Sequence, residues 1–216
     1  MGSAITILND FAKFMQEGGV FMFIIALVWA IGIVICLERY LRLSKYDVDG
    51  PSFMNEIQRY VLSSDIQGAI RVCSGSASAL AKILKSGLKR AGQNLEQMQN
   101  SIDASALEMI PKVELRLTWV AVMANISTLF GLLGTIQGLI SSFGALSTVD
   151  PSKKAEILAT GISTAMNTTA LGLVSAISLM ILHTFLSSKA EKIINEVDEF
   201  SVKLIDLVGT KKHDNE

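Results

Sequence analysis
Residues 117–149 contain no Asp, Glu, Lys or Arg. An uncharged run of that length restricts what can surround it. Wound as an α-helix at ~1.5 Å per residue it is about 50 Å long, against a bilayer hydrocarbon core of ~30 Å. Within it, WVAVMANISTLFGLLGTIQGLISSFGAL (119–146) is not evenly apolar. Thr128, Gly131, Thr135, Gly138 and Ser142 recur at steps of three and four and so share one helix face. The other faces carry Leu, Ile, Val and Phe. Such a helix is expected to turn one side to lipid and the other to a tightly packed or hydrated interior.

Two more stretches have the same character. Residues 18–37 carry no charge and are closed by Glu38, Arg39 and Arg42; residues 157–188 carry none either. Half of all residues are apolar and 18% are charged, with a mean hydropathy of +0.44. These values fit an integral membrane protein better than a soluble domain. A net charge of −1 gives no basic face for nucleic acid. Cys36 and Cys73 lack CxxC spacing and read as unpaired thiols, Cys73 open to an impermeant reagent from the cytoplasm. His183 and His213 are too few and too separated for a metal site. No catalytic set and no cofactor are expected, so the chain does not read as an enzyme.

The remaining segments follow from periodicity. Residues 1–17 form an amphipathic pattern with Ile5, Leu8, Phe11, Phe14 and Met15 on one side, expected to lie in the membrane interface. Gly18 and Gly19 end it, and residues 18–37 form the first span. Residues 38–116 are a cytoplasmic helical segment, with caps at Ser63–Asp65 and Asn94. Its last helix is expected to run through Glu108, Glu114 and Arg116 into the second span (117–149), with a kink at Pro111. A periplasmic loop at 150–156 and a third span at 157–188 follow. Residues 189–216 form a cytoplasmic helix with an apolar stripe of Ile193, Val197, Phe200, Leu204 and Leu207, suited to bundling with copies of itself. Of the nineteen Lys and Arg, most lie in 38–116 and in the tail, which places those segments in the cytoplasm and the N-terminus outside.

The third span, GISTAMNTTALGLVSAISLMILHTFL from Gly161, carries a second small-residue face: Ala165, Thr169, Gly172 and Ala176, flanked by Thr168 and Ser175, with Thr164 and Asn167 adding polar atoms. Thr135 and Thr169 could face one cavity from neighbouring helices. The plainer reading is tight helix packing, with each Thr bonding its own helix carbonyl. Gly131, Gly134, Gly138, Gly161 and Gly172 are assigned to that packing; Thr128, Thr135, Thr164, Asn167, Thr168 and Thr169 are candidates for an ion path. Neither of these two spans holds a carboxylate. A proton relay through them would need its titrating carboxylate from another chain. His183, near one end, reads as an interfacial imidazole.

FGLLGTIQGLISSF (130–143) closely resembles the GLLGTVxGMIxxF signature of the ExbB/TolQ/MotA family of ion-driven motor subunits. GISTAMNTTALGLVSAI (161–177) resembles that family's third-span motif, and SSDIQGAIRVCSGSASALAKIL (63–84) its cytoplasmic segment. Three spans resemble the ExbB/TolQ branch. The resemblance implies an all-α membrane protein of three transmembrane helices, two of them extended into a cytoplasmic helical bundle. It implies a homopentamer in the bacterial inner membrane around two copies of a single-span ExbD/TolR-like partner bearing a membrane-embedded Asp. Proton or sodium motive force would be converted into mechanical work for TonB-type transport or envelope energisation. A gliding, adhesion or flagellar-type stator is the alternative inside the family, and a non-conducting membrane scaffold the alternative outside it. Thr135 and Thr169 match the two threonines that the family sets beside the partner's Asp. The chain departs from the pattern at Thr164, where a Glu is common, and at Thr128 and Ser178, where prolines are common.

Overall fold
The computed structural model describes residues 14–16, 18–147 and 149–214. The expected interfacial helix at 1–17 lies outside them apart from residues 14–16, which are helical. All regular structure among the described residues is helical. The elements are α1 (Val20–Tyr46), α2 (Gly50–Leu62), α3 (Ile66–Gly75), α4 (Ala79–Leu88), α5 (Leu95–Glu114), α6 (Leu117–Ala145), a single 3-10 turn (Pro151–Lys153) and α7 (Lys154–Asp214). Three of the helical stretches are long and apolar enough to cross a membrane. The chain is therefore an all-α membrane protein.

Several boundaries differ from those expected. Gly19 adopts φ +71°, a left-handed conformation open to glycine at little cost, and α1 starts one residue later. The helix then continues past residue 37 to Tyr46, because hydrogen bonding does not stop where hydropathy does. The loop expected at 150–156 gives up residues 154–156 to α7. The third span and the tail are one helix of 61 residues. The helix before the second span does not run into it. Pro111 lies inside α5, and the break comes at Leu115 and Arg116, where Arg116 takes φ +63°.

The described residues form two compact units. The first combines the chain through Leu37 with Thr118–Thr184. Here α1 meets α7 where Gly32 faces Leu179: a Cβ on Gly32 would lie 2.7 Å from Leu179 Cδ2. Beside this contact, Trp29 Nε1 donates to Ser178 Oγ at 2.8 Å. Phe21 and Phe130 stack at 6.4 Å between ring centroids. The outer surface is Phe23, Leu27, Val34, Leu129, Ile140, Val174, Ile181 and similar side chains, as a lipid-facing unit requires.

The second unit is Glu38–Leu117 with Phe185–Glu216. Its helices are bounded by short polar caps. Asp65 accepts from Gly68 N at 2.8 Å, and Ser78 accepts from Ala81 N at 3.2 Å. Leu80, Ile83, Leu84 and Leu88 of α4 are fully buried against Met98 and Ile102 of α5 and their neighbours; each such side chain contributes about 1.5–3 kcal/mol. The tail stripe is buried in this same unit: Leu186, Ala190, Ile193, Val197, Phe200, Leu204 and Val208. Val208 completes it, not Leu207, since two steps of four from Phe200 through Leu204 arrive there. Phe200 covers Gly50, and Lys211 Nζ donates to the carbonyls of Val61 and Leu62. The stripe expected to bundle with copies of itself is thus covered by its own chain.

Two buried polar groups stand out in the second unit. Arg39 is 0% exposed. Its Nη2 donates to the carbonyls of Lys112 and Val113 near the end of α5, while Nε and Nη1 have no protein partner. Burial pulls its guanidinium below the usual value. Cys73 is 1% exposed, which overturns the expectation of ready labelling, and burial pushes its thiol up to about 11.

Candidate functional site
The hydroxyl and glycine residues of α6 and α7 meet along one antiparallel seam in the first unit. Its tightest point joins Gly131 to Gly172. A Cβ on Gly172 would sit 2.8 Å from the Ser127 carbonyl oxygen and 2.9 Å from Gly131 Cα. One turn along, a Cβ on Gly134 would sit 2.7 Å from Thr168 Oγ1. Farther still, Gly138 faces Ala165 and the Gly161 carbonyl, and Gly161 faces Ser142. All five glycines assigned to packing therefore stand on this seam. They let two backbones approach more closely than any larger side chain would permit.

The threonines divide by position. Thr168 is buried in the seam and donates to Ala165 O at 2.8 Å. Thr169 is half-buried and reaches across, donating to Gly131 O at 3.1 Å. Thr135, also half-buried, donates to Leu132 O of its own helix at 2.6 Å. Thr164 and Asn167 are half-buried on α7. Thr128 is exposed and bonds Ala124 O at 3.4 Å. The seam residue on its turn is Ser127, fully buried and bonded to Met123 O at 2.9 Å.

Sequence reading placed the stripe one residue off at that end. Ser127, Gly131, Gly134, Gly138 and Ser142 also recur at steps of three and four, so Ser127 could have been found by following Gly134 instead of Thr135. Ser178 and Trp29 were not paired in advance, because nothing local relates residues 149 positions apart.

The chemistry follows from the bonds already made. The donors of Thr128, Thr135, Thr168 and Thr169 are each committed to a backbone carbonyl. A hydroxyl oxygen keeps acceptor lone pairs after donating its proton. What these threonines can offer a newcomer is an oxygen lone pair, suited to a protonated acid or a bare cation. No Asp, Glu, Lys or Arg occurs in 117–149 or 157–188 to supply a titrating group, and no His/Cys/Asp/Glu cluster that could hold a metal ion occurs among the described residues.

Comparison with known proteins places this seam inside a described family. The MotA/TolQ/ExbB proton channel family matches residues 76–199, a stretch that contains every residue of the seam. A putative biopolymer transport protein ExbB homolog of Methanothermobacter thermautotrophicus is 25% identical over 185 residues, which cover 85% of this chain and 65% of that protein. The Tol-Pal system protein TolQ of Pseudomonas aeruginosa is 32% identical over 102 residues, covering 47% of this chain and 44% of that one. The protein of that name from Haemophilus influenzae is 33% identical over 99 residues, covering 44% and 43%. The chain thus spans less than two thirds of the length of each of these relatives.

Proposed function
The chain belongs to the MotA/TolQ/ExbB proton channel family, and from that premise we propose that it is the ion-conducting subunit of a membrane motor. It sits in the bacterial inner membrane as a homopentamer, N-terminus outside and C-terminus in the cytoplasm. The five copies enclose two copies of a single-span ExbD/TolR-like partner. Flow of H⁺ or Na⁺ past the partner's membrane-embedded Asp drives relative movement, which performs work in TonB-type transport or envelope energisation. The protein transports an ion and catalyses no covalent reaction.

The observation that carries this reading is the seam itself. Two charge-free spans present threonine oxygens beside a glycine contact, and the donors of Thr135 and Thr169 are already spent. Thr135 and Thr169 then act as acceptors for the partner's Asp in its protonated form, or as ligands for Na⁺. A carboxylate that has lost its ion finds the donors of Thr135 and Thr169 already committed to backbone carbonyls, which favours its release. The scaffold alternative draws on the same bonds, since a hydroxyl satisfied by its own helix can serve packing alone.

Thr→Val tests the role of these threonines, because valine has nearly the same shape and lacks the hydroxyl's lone pairs. Thr135→Val or Thr169→Val is expected to leave oligomer and partner copurification intact. Each should abolish ion flux, a loss of roughly 1–3 kcal/mol at the acceptor. Thr164→Val should be milder. Normal flux in both Thr135→Val and Thr169→Val would remove these threonines from the mechanism, whereas no flux through the unmodified protein would reject the motor reading in favour of the scaffold. Running the assay with and without sodium identifies the ion.

A further inference from the structure
At the end of the seam nearest residues 147–153 the first unit opens into a groove of about 780 Å³. That volume accommodates roughly 25 water molecules. Its α7 wall is a ladder on one helix face, Glu156, Thr160 and Thr164, spaced at four and eight residues. Its α6 wall carries Gln137 and Ser141, which bond each other at 3.3 Å. The start of α1, with Phe21, closes the third side. Thr164 lies about 12 Å along the helix axis from Glu156. Gly134 lines the groove too, and it is the glycine whose face abuts Thr168 Oγ1. The groove therefore leads from the loop end of the helices to the seam hydroxyls.

We propose that this groove is a hydrated access site for a small monovalent cation, with Glu156 collecting the ion at the mouth and Thr164 receiving it at the inner end. The proposal rests on the ion-conducting reading and adds the route by which the ion reaches the threonines. Among the described lining residues Glu156 is the one carboxylate and Lys153 the one cation. The two act in opposite senses on an arriving cation. Oxygen ligands then continue inward at one-turn intervals, which suits an ion shedding water stepwise. In a membrane this differs from a lipid-filled groove in one measurable way, namely access to water-soluble reagents.

Single cysteines at Thr160 and Ser141, in a background with Cys36 and Cys73 replaced by Ala, provide the test in whole cells and inverted vesicles. The probes are cationic MTSET, anionic MTSES and membrane-permeant N-ethylmaleimide. Both positions are expected to react with MTSET, while cysteines at Ile162 and Met166 on the exposed apolar face should not. Adding Glu156→Gln should lower the MTSET-to-MTSES rate ratio at position 160 by about five-fold, and Lys153→Gln should raise it by a similar factor, as expected for one charge at about 8 Å in a wet site. Reaction with N-ethylmaleimide but with neither charged probe would overturn the proposal and indicate a groove filled by lipid. An unchanged ratio in Glu156→Gln would remove Glu156 from ion collection and overturn it as well. Reaction from the inside only would reverse the membrane orientation while leaving the access site intact, and absence of ion flux through the unmodified protein despite normal labelling would reject the motor reading alone.

Discussion
At the scale of single residues, the hydroxyls and the buried thiol behave according to what surrounds them. Thr168 and Thr169 are adjacent in the chain, yet of Thr135, Thr168 and Thr169 only Thr169 spends its proton on the opposite helix. Losing that bond should loosen the seam as well as the ion site, so Thr169→Val is expected to lower thermal stability slightly more than Thr135→Val. Scanning fluorimetry in detergent compares them, and equal midpoints would discount the cross-helix bond. Cys73 provides a pH-dependent case. Its thiol rises from 9.0 to about 11 by burial. The folded state therefore holds a proton that the unfolded state releases between those values, and stability falls as pH rises across that window. The loss should be on the order of 1 kcal/mol per pH unit. Cys73→Ala should lack this alkaline component in denaturant melts at pH 8 and 10. Thiol labelling of the intact protein at Cys73 should be slow near neutrality and rise about tenfold per pH unit up to its shifted value.

At the scale of elements, glycine marks where helices approach most closely, and the kind of neighbouring atom determines what each glycine is worth. Gly172 faces backbone atoms of Ser127 and Gly131, which cannot move aside. Gly32 faces the branched end of Leu179, a fully buried side chain whose Cδ2 would lie 2.7 Å from a Cβ there. Gly144, also helical, has nothing within 4 Å of a would-be Cβ. Ala at these three positions should therefore rank in stability. Gly144→Ala should gain about 0.4–1 kcal/mol by restricting the unfolded chain. Gly32→Ala should be destabilising but less so, since Leu179 can shift as backbone cannot, and Gly172→Ala should lose about 1–3 kcal/mol by overpacking. Thermal midpoints in one detergent give the order. A tolerated Gly172→Ala would mean that the seam is looser than the structure shows.

At the scale of the whole molecule, each unit carries a surface with its own destination. The first exposes large apolar side chains around its spans, and the second is held by a buried core with charged caps and ion pairs such as Lys192 with Asp47 at 3.3 Å. In the proposed orientation, a cysteine replacing Ser74 on α3 should react with impermeant reagent only from the cytoplasm. One replacing Ser147 should react only from outside. Both residues are exposed, unlike Cys73. Native mass spectrometry is expected to find five copies; a stable monomer in mild detergent would contradict the assembly. In the tail, Phe200 and Leu204 are already buried within their own chain.

Length and charge alone determined the three spans, because a bilayer demands about twenty uncharged residues from any helix that crosses it. The family motif and most of the seam were equally legible, since glycine and threonine at helical spacing place themselves on a face whatever lies opposite. Helix ends were less so. Hydropathy marks the membrane and not the end of hydrogen bonding, so α1 and α7 continue well past their apolar windows. Pairings across long stretches of chain were decided only by tertiary structure. These include Gly131 with Gly172, Trp29 with Ser178, Arg39 with the last carbonyls of α5, and the groove beneath Glu156. Each depends on the rotation of one helix about its axis relative to another, and that rotation is set by packing of whole faces rather than by any local spacing.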